Sequence, residues 1–245
     1  MGVRDRKAMN MELQQSWNKR AQMYANRMDK LMNSLEYQNQ WKENLQLLLG
    51  SCQGLEILDI GTGSGFLAFQ LVRLGQRVIG LDFSEEMLRI AESKAQSLNL
   101  DCSFVFGNAV NLPFPAERFD TIVCRHLLYS LNDRSLVFTE WLRVLRSGGR
   151  VAIWDGDWTA RNMLPFAQLQ LTSKKQIPRR YATIKRQGAF KREQEPNMLH
   201  NEVIMELKAA GFINIKIFKM DIKNTFGDRE IKLECECLFI TAQRP

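Results

Sequence analysis

Glu56-Ile-Leu-Asp-Ile-Gly-Thr-Gly-Ser-Gly-Phe66 decides the fold. The apolar run Leu55–Ile60 predicts a buried strand. Gly61, Gly63 and Gly65 predict a sharp turn, and the apolar stretch Phe66–Leu74 predicts a helix leaving it. Glycine lets the backbone take conformations closed to other residues and lets a ligand lie against it. The helix start adds free N–H groups and a partial positive charge, so the turn is built for a polar ligand. The spacing excludes the usual nicotinamide site, whose fingerprint is Gly-x-Gly-x-x-Gly. Here the third glycine comes one residue early, and Phe66 stands where that fingerprint has glycine.

Outward from the turn, strand and helix alternate. Val78–Leu81 reads as a second strand and Ser84–Leu98 as a helix, with Ser84 as N-cap and Glu85 and Glu86 at its positive end. Ser103–Phe106, Thr121–Cys124 and Arg150–Asp155 read as further strands. This rhythm implies a parallel sheet covered on both faces. Asp82 ends the second strand, where a carboxylate accepts both hydroxyls of a ribose held over the first strand end. Taken alone it is also a helix cap, a role Ser84 already fills. Residues 8–50 have helical spacing with a break near Asn33–Ser34 and a stop at Gly50. A helix over 197–210, ended by Gly211, and strands near 213–219 and 233–242 close the chain. Four segments result: an N-terminal helical cap (1–50), a ligand-binding core (51–159), a basic insertion (160–197) and a C-terminal part that completes the sheet (198–245).

Four stretches in order carry a family resemblance: ILDIGTGSG, VIGLDFSEEML, GNAVNLPFPAERFDTIVCRHLLYSL and EWLRVLRSGGRVAI. They resemble the motifs of the class I S-adenosylmethionine-dependent methyltransferases. The nearest likeness is to the small-molecule group that includes the ubiquinone and menaquinone enzymes, and it covers residues 55–155. The resemblance implies an α/β, Rossmann-like fold: a mostly parallel seven-stranded sheet with helices on both faces, N-terminal helices and a lid inserted after the fifth strand. It implies S-adenosyl-L-methionine as cofactor and a small-molecule methyl acceptor as partner. By its motifs, Asp59, Gly61, Thr62, Gly63 and Gly65 hold the methionine part. Asp82 holds the ribose, and Phe83 and Met87 surround the adenine. Asn108 and Ala109 fall where the family has Asp-Ala, so Asn108 departs from the pattern although its side-chain oxygen still accepts. Cys124 and Arg125 fall beside the sulfonium. Tyr24 matches an N-terminal aromatic that closes over the cofactor, and it reads equally as a buried helix aromatic.

Acceptor contacts belong at the carboxyl ends of the fourth and fifth strands. His126, Tyr129, Asp155, Asp157 and Trp158 are the candidates. His126 titrates near neutral pH and suits a proton acceptor, or it is a helix-start residue facing solvent. Asp155 and Asp157 suit a cationic acceptor, or they pair with the basic insertion. Methyl transfer needs a base only where the acceptor must lose a proton.

Composition narrows the remaining classes. A chain of 245 residues, 45% hydrophobic, has enough apolar surface for one full core. Neither a signal-peptide h-region nor an apolar run of membrane-spanning length occurs, so a cytoplasmic protein without a span is expected. Five scattered cysteines do not form a disulfide framework, and two histidines, His126 and His200, do not suit a metal site. The net charge of +7 sits in residues 161–200, where nine Lys or Arg face two acids. That segment reads as a substrate lid or as a solvated face. RNA or protein methylation is the competing class, disfavoured because Cys124-Arg-His-Leu127 replaces the Asn-Pro-Pro-Tyr-like tetrapeptide of amino-group methylating enzymes. A non-methylating cofactor-binding protein is the third. No feature sets an oligomeric state.

Overall fold

The apolar run before the glycine turn becomes β1 (Glu56–Ile60), whose last four residues are all buried. The computed structural model describes residues 3–131, 133–156, 198–220, 224–226, 229–231 and 237–245. Asp157, Trp158, Cys235 and the basic insertion 160–197 lie outside the described residues. Before β1 come α1 (Val3–Met32) and α2 (Leu35–Leu49). They break where expected, because Ser34 caps α2 by accepting from the Tyr37 N–H. After β1 follow α3 (Phe66–Arg73), β2 (Arg77–Asp82), α4 (Glu85–Ser97), β3 (Ser103–Phe106) and β4 (Phe119–Arg125). Ser84 caps α4 through the Met87 N–H, as the sequence predicts. A 3-10 turn (Leu128–Ser130) leads to α5 (Arg134–Val144) and β5 (Leu145–Gly156), then α6 (Met198–Ala210), β6 (Ile213–Met220), β7 (Asn224–Phe226), β8 (Arg229–Ile231) and β9 (Cys237–Gln243).

Seven strands form one sheet in the order β3-β2-β1-β4-β5-β9-β6, and β7 and β8 form a separate pair. The first five are parallel, and β9 runs antiparallel between β5 and β6. This is the expected mostly parallel sheet. One expectation is corrected: β5 starts at Leu145, not Arg150. Leu145 pairs with Phe119, and a register shift between Phe119 and Thr121 lets the strand absorb Gly148 and Gly149.

Strand alternation splits the core between two faces. Ile122, Cys124 and Ile153 pack with Phe138, Trp141 and Leu207 on the side of α5 and α6. Val123, Ala152 and Trp154 pack with Trp41, Leu45, Phe66 and Leu71 on the side of α2 and α3. On the second face Trp41 meets Phe66 edge-on at 5.1 Å and Trp154 at 5.5 Å. Such pairs contribute about 0.5–1.5 kcal/mol each beyond area burial. α2 therefore shares the core of the sheet. Strand order reverses between β1 and β4, which opens a crevice at their carboxyl ends, the place where such sheets bind ligands. Among the described residues, no helix is long and apolar enough to cross a membrane.

Candidate active site

The glycine turn is pinned to β2. The N–H groups of Gly61 and Thr62 both donate to the Leu81 carbonyl, at 2.8 and 3.0 Å. Gly65 has φ of 86°, and a Cβ there would lie 2.4 Å from the Phe69 ring. Gly65→Ala therefore meets a left-handed backbone penalty of about 1–2 kcal/mol and displaces Phe69. We expect it to lower the melting temperature by about 2–8 °C, read by calorimetry, since 1 kcal/mol shifts a chain of this size by about 2–4 °C.

Two carboxylates face the turn. Asp59, on β1 and 1% exposed, accepts from the Thr62 hydroxyl at 2.7 Å. Burial pushes its pKa up to about 7, against the Thr62 bond and the charge of Arg125. Asp82 accepts from the Gly63 N–H at 2.8 Å and from the Ser84 N–H at 2.9 Å, tying the turn to the start of α4. Burial raises its pKa while these N–H bonds oppose the rise. A carboxylate offers about four lone-pair sites, so acceptor capacity remains for a diol.

The residues expected around the adenine are built differently. Ala109 is buried, and Phe83 and Asn108 are half-buried. Met87 packs with Ala21, Ala25 and Ile90 between α1 and α4. The Asn108 side-chain oxygen accepts from the Val110 N–H at 3.1 Å, so it first stabilises its own turn. Asn108→Ala is expected to weaken S-adenosylhomocysteine binding by no more than about 1 kcal/mol, less than Asp82→Ala, because a neutral hydrogen bond contributes less than a charged one. A larger loss in calorimetric titration at Asn108 would move the adenine contact there.

At the end of β4 the side chains diverge. The Cys124 thiol is fully buried in the α5 face, and burial with the nearby Asp155 and Asp59 carboxylates raises its pKa well above the usual range. Arg125 is 8% exposed and lies on the opposite face, donating to the hydroxyls of Tyr37 at 3.3 Å and Tyr24 at 3.0 Å. Its guanidinium carbon lies 4.3 Å from the Phe66 ring centre. Tyr24 also reaches the turn: a Cβ on Gly63 would lie 3.5 Å from its ring. His126 is left-handed (φ 55°), with its N–H donating to the Trp154 carbonyl at 2.8 Å. This is a turn residue, not the start of a helix. Burial, then the charges of Arg125 and Arg27, hold its imidazole neutral well below its ordinary pKa. Asp155 accepts from the Leu128 N–H at 2.7 Å and so anchors the turn after β4. Tyr129, 46% exposed, follows that turn.

Sequence reasoning found the turn, both carboxylates, Arg125 and His126. It missed Tyr37, which accepts from Arg125, and Arg27, whose charge acts on Arg125 and His126. The one available signal was the i, i+3 spacing of Tyr24 and Arg27 on α1.

The comparisons with known proteins agree with this geometry. Residues 58–153 match the family model of a methyltransferase domain. Over that stretch the chain is similar to such domains. The chain is 38% identical over 122 residues to the demethylmenaquinone methyltransferase of Lactococcus lactis, covering 48% of each chain. It is 35% identical over 159 residues to the chloroplastic 2-phytyl-1,4-beta-naphthoquinone methyltransferase of Arabidopsis thaliana, covering 62% of this chain and 60% of that one. The chain thus spans about half to three fifths of the length of these curated relatives. Among solved structures, the [4+2]-cyclase SpnF shares the fold at a TM-score of 0.59 with 17% identity, covering 83% of this chain and 80% of the other.

The site's own features fit S-adenosylmethionine. The turn's left-handed glycines keep its backbone open to a ligand, and the Asp82 carboxylate, which accepts from the Gly63 N–H at 2.8 Å, suits a diol beside it.

Proposed function

We propose that this chain is an S-adenosylmethionine-dependent methyltransferase acting on a small molecule, with a quinol or related hydroxyarene as the acceptor. The observation that carries the reading is the pinned glycine turn with Asp82 across it, set at the strand-order reversal of a methyltransferase domain. The acceptor class follows the names of two relatives, a demethylmenaquinone methyltransferase and a 2-phytyl-1,4-beta-naphthoquinone methyltransferase.

S-adenosylmethionine supplies a methyl group on a positive sulfur. Positioning accounts for much of the remaining barrier, and the chain supplies it. Asp82 and the turn fix the nucleoside end. Tyr24, between Gly63 and Arg125, covers the crevice and excludes water. A hydroxyarene loses its proton before or during attack. His126, at the end of β4, is our candidate to take it, working against the burial and the Arg125 and Arg27 charges that make its imidazole a weaker base. Asp155 acts one step back, fixing the turn that carries Tyr129.

A second reading has a specific observation behind it, since a cyclase shares this fold. Incubation with methyl-labelled S-adenosylmethionine and panels of quinols, phenols, amines, thiols and transfer RNA separates the two. Label in an extractable quinol or phenol is the expected result. Label in RNA, or cofactor binding with no transfer to any panel, would overturn the assignment.

A further inference from the structure

We propose that Glu140 and Arg143 of α5 are positioning residues for the nucleoside, acting through the loop that carries Asn108 and Ala109. The inference deepens the methyltransferase reading and rests on it, with the adenine beside Asn108. Both residues belong to the stretch EWLRVLRSGGRVAI, whose charged pair has no task in the site described above. They lie three residues apart on one face of α5 and form a two-point ion pair. Arg143 Nε donates to Glu140 Oε2 at 2.8 Å, and Nη2 donates to Oε1 at 2.7 Å. From there the pair reaches the loop after β3. Glu140 accepts from the Leu112 N–H at 2.8 Å. Arg143 donates to the Leu112 carbonyl at 3.2 Å and to the Phe114 carbonyl at 2.9 Å. Leu112 is buried, so its main-chain groups need partners inside the protein. Hydrogen bonds from Arg143 hold Glu140 below the ordinary glutamate range, against the effect of burial, so the pair stays charged.

The other end of the loop is tied to β2. The Gly107 N–H donates to the Asp82 carbonyl at 3.0 Å. A Cβ on Gly107 would lie 2.8 Å from Leu81 and 3.3 Å from Pro113, so Pro113 packs back on the start of the loop. Between the two ties, the Asn108 carbonyl accepts from the Asn111 N–H at 3.0 Å, and the Asn108 side chain accepts from the Val110 N–H at 3.1 Å. Residues 108–111 thus close on themselves, and Leu112 comes next in the chain. A shift at Leu112 carries Asn108 and Ala109 with it. The far stem of the loop is held separately, because the N–H groups of Glu117 and Arg118 donate to the Arg143 and Val144 carbonyls at 3.1 and 2.8 Å. Removing the side-chain pair therefore loosens the middle of the loop and leaves its ends attached.

Calorimetric titration of the full chain tests this with two nucleosides, S-adenosylhomocysteine and S-inosylhomocysteine. The second carries an oxo group where adenine has its amino group, so the ratio of the two affinities reads the placement of Asn108. The wild type is expected to prefer the adenine compound by about 5-fold, the contribution of one neutral hydrogen bond. Glu140→Ala and Arg143→Ala are each expected to weaken S-adenosylhomocysteine by about 3- to 5-fold and the inosine compound by less than about 2-fold, which brings the ratio near one. Arg143→Lys keeps the charge and loses the planar fork, so it folds with a gentler change and is expected to lower the ratio by about 2-fold. Leu207→Ala on α6 controls for lost packing. It opens a cavity in the core that α6 shares with α5, and it is expected to lower the melting temperature without moving the ratio. A ratio kept in full by every folded variant of the pair overturns the proposal, and so does an equal fall in Leu207→Ala. A wild type that binds both nucleosides equally overturns it as well, because the adenine is then not read beside Asn108. A wild type that binds neither overturns the methyltransferase reading itself, a distinct outcome.

Discussion

Asp82→Ala is expected to weaken S-adenosylhomocysteine binding by about 10- to 100-fold, the equivalent of roughly 1.5–3 kcal/mol for a hydrogen bond to a charged group. Two losses combine. The ribose loses an ionised acceptor, and the turn loses the strut that Asp82 makes between the Gly63 N–H and the Ser84 N–H. Asp82→Asn separates them. The amide keeps one oxygen for a backbone N–H and loses the charge and one acceptor, so a loss between wild type and alanine is expected. The Ser84 cap on Met87 stays in place in both variants, which keeps α4 intact. Calorimetry on folded proteins with matching melting curves gives the comparison. Wild-type affinity in Asp82→Ala would remove the ribose role.

The parts legible in the sequence are those set by local chemistry. A strand that ends in glycines, a carboxylate at the next strand end and a serine before two glutamates each have a meaning that survives without the fold. So Asp82 and Ser84 stood out, Asp59 came only through the family resemblance, and the structure places both carboxylates within hydrogen-bond reach of the turn. The break at Ser34 was legible for the same reason. Other features exist only once the chain has folded. Tyr37 and Arg27 sit on helices that precede the core, and nothing near them in sequence points to β4. The start of β5 was misread because Ser147-Gly148-Gly149 looks like a turn, whereas pairing with Phe119 recruits Leu145 into the strand. From sequence, Asp155 reads as a substrate contact or as a partner of the basic insertion. Its bond to the Leu128 N–H gives it a structural task first, and that partner is 27 residues away in the chain.

Cofactor affinity is expected to rise with pH by about 10-fold between pH 6 and 8, with Asp59 as the cause. In the protein alone, burial holds this carboxyl at about 7, above the ordinary aspartate value of 3.8. The groups that face it are Thr62 and Arg125, which favour the anion, and Asp82, which opposes it. A folded-state pKa above the unfolded one contributes stability that is fully present below pH 3.8 and is lost as pH rises through about 7. S-adenosylmethionine reverses the balance, because its sulfonium and ammonium groups favour the ionised carboxylate. Binding at neutral pH and below therefore expels a proton from Asp59. Affinity climbs up to about 10-fold per pH unit below 7 and levels off above it. Titration calorimetry at several pH values, each in two buffers of different ionisation enthalpy, reads both the slope and the proton released. Asp59→Asn removes the titrating group and is expected to flatten the profile. A wild-type affinity that stays constant from pH 6 to 8, with no proton released, would show that Asp59 is already ionised when the cofactor arrives, and that the charge of Arg125 outweighs burial at the end of β1.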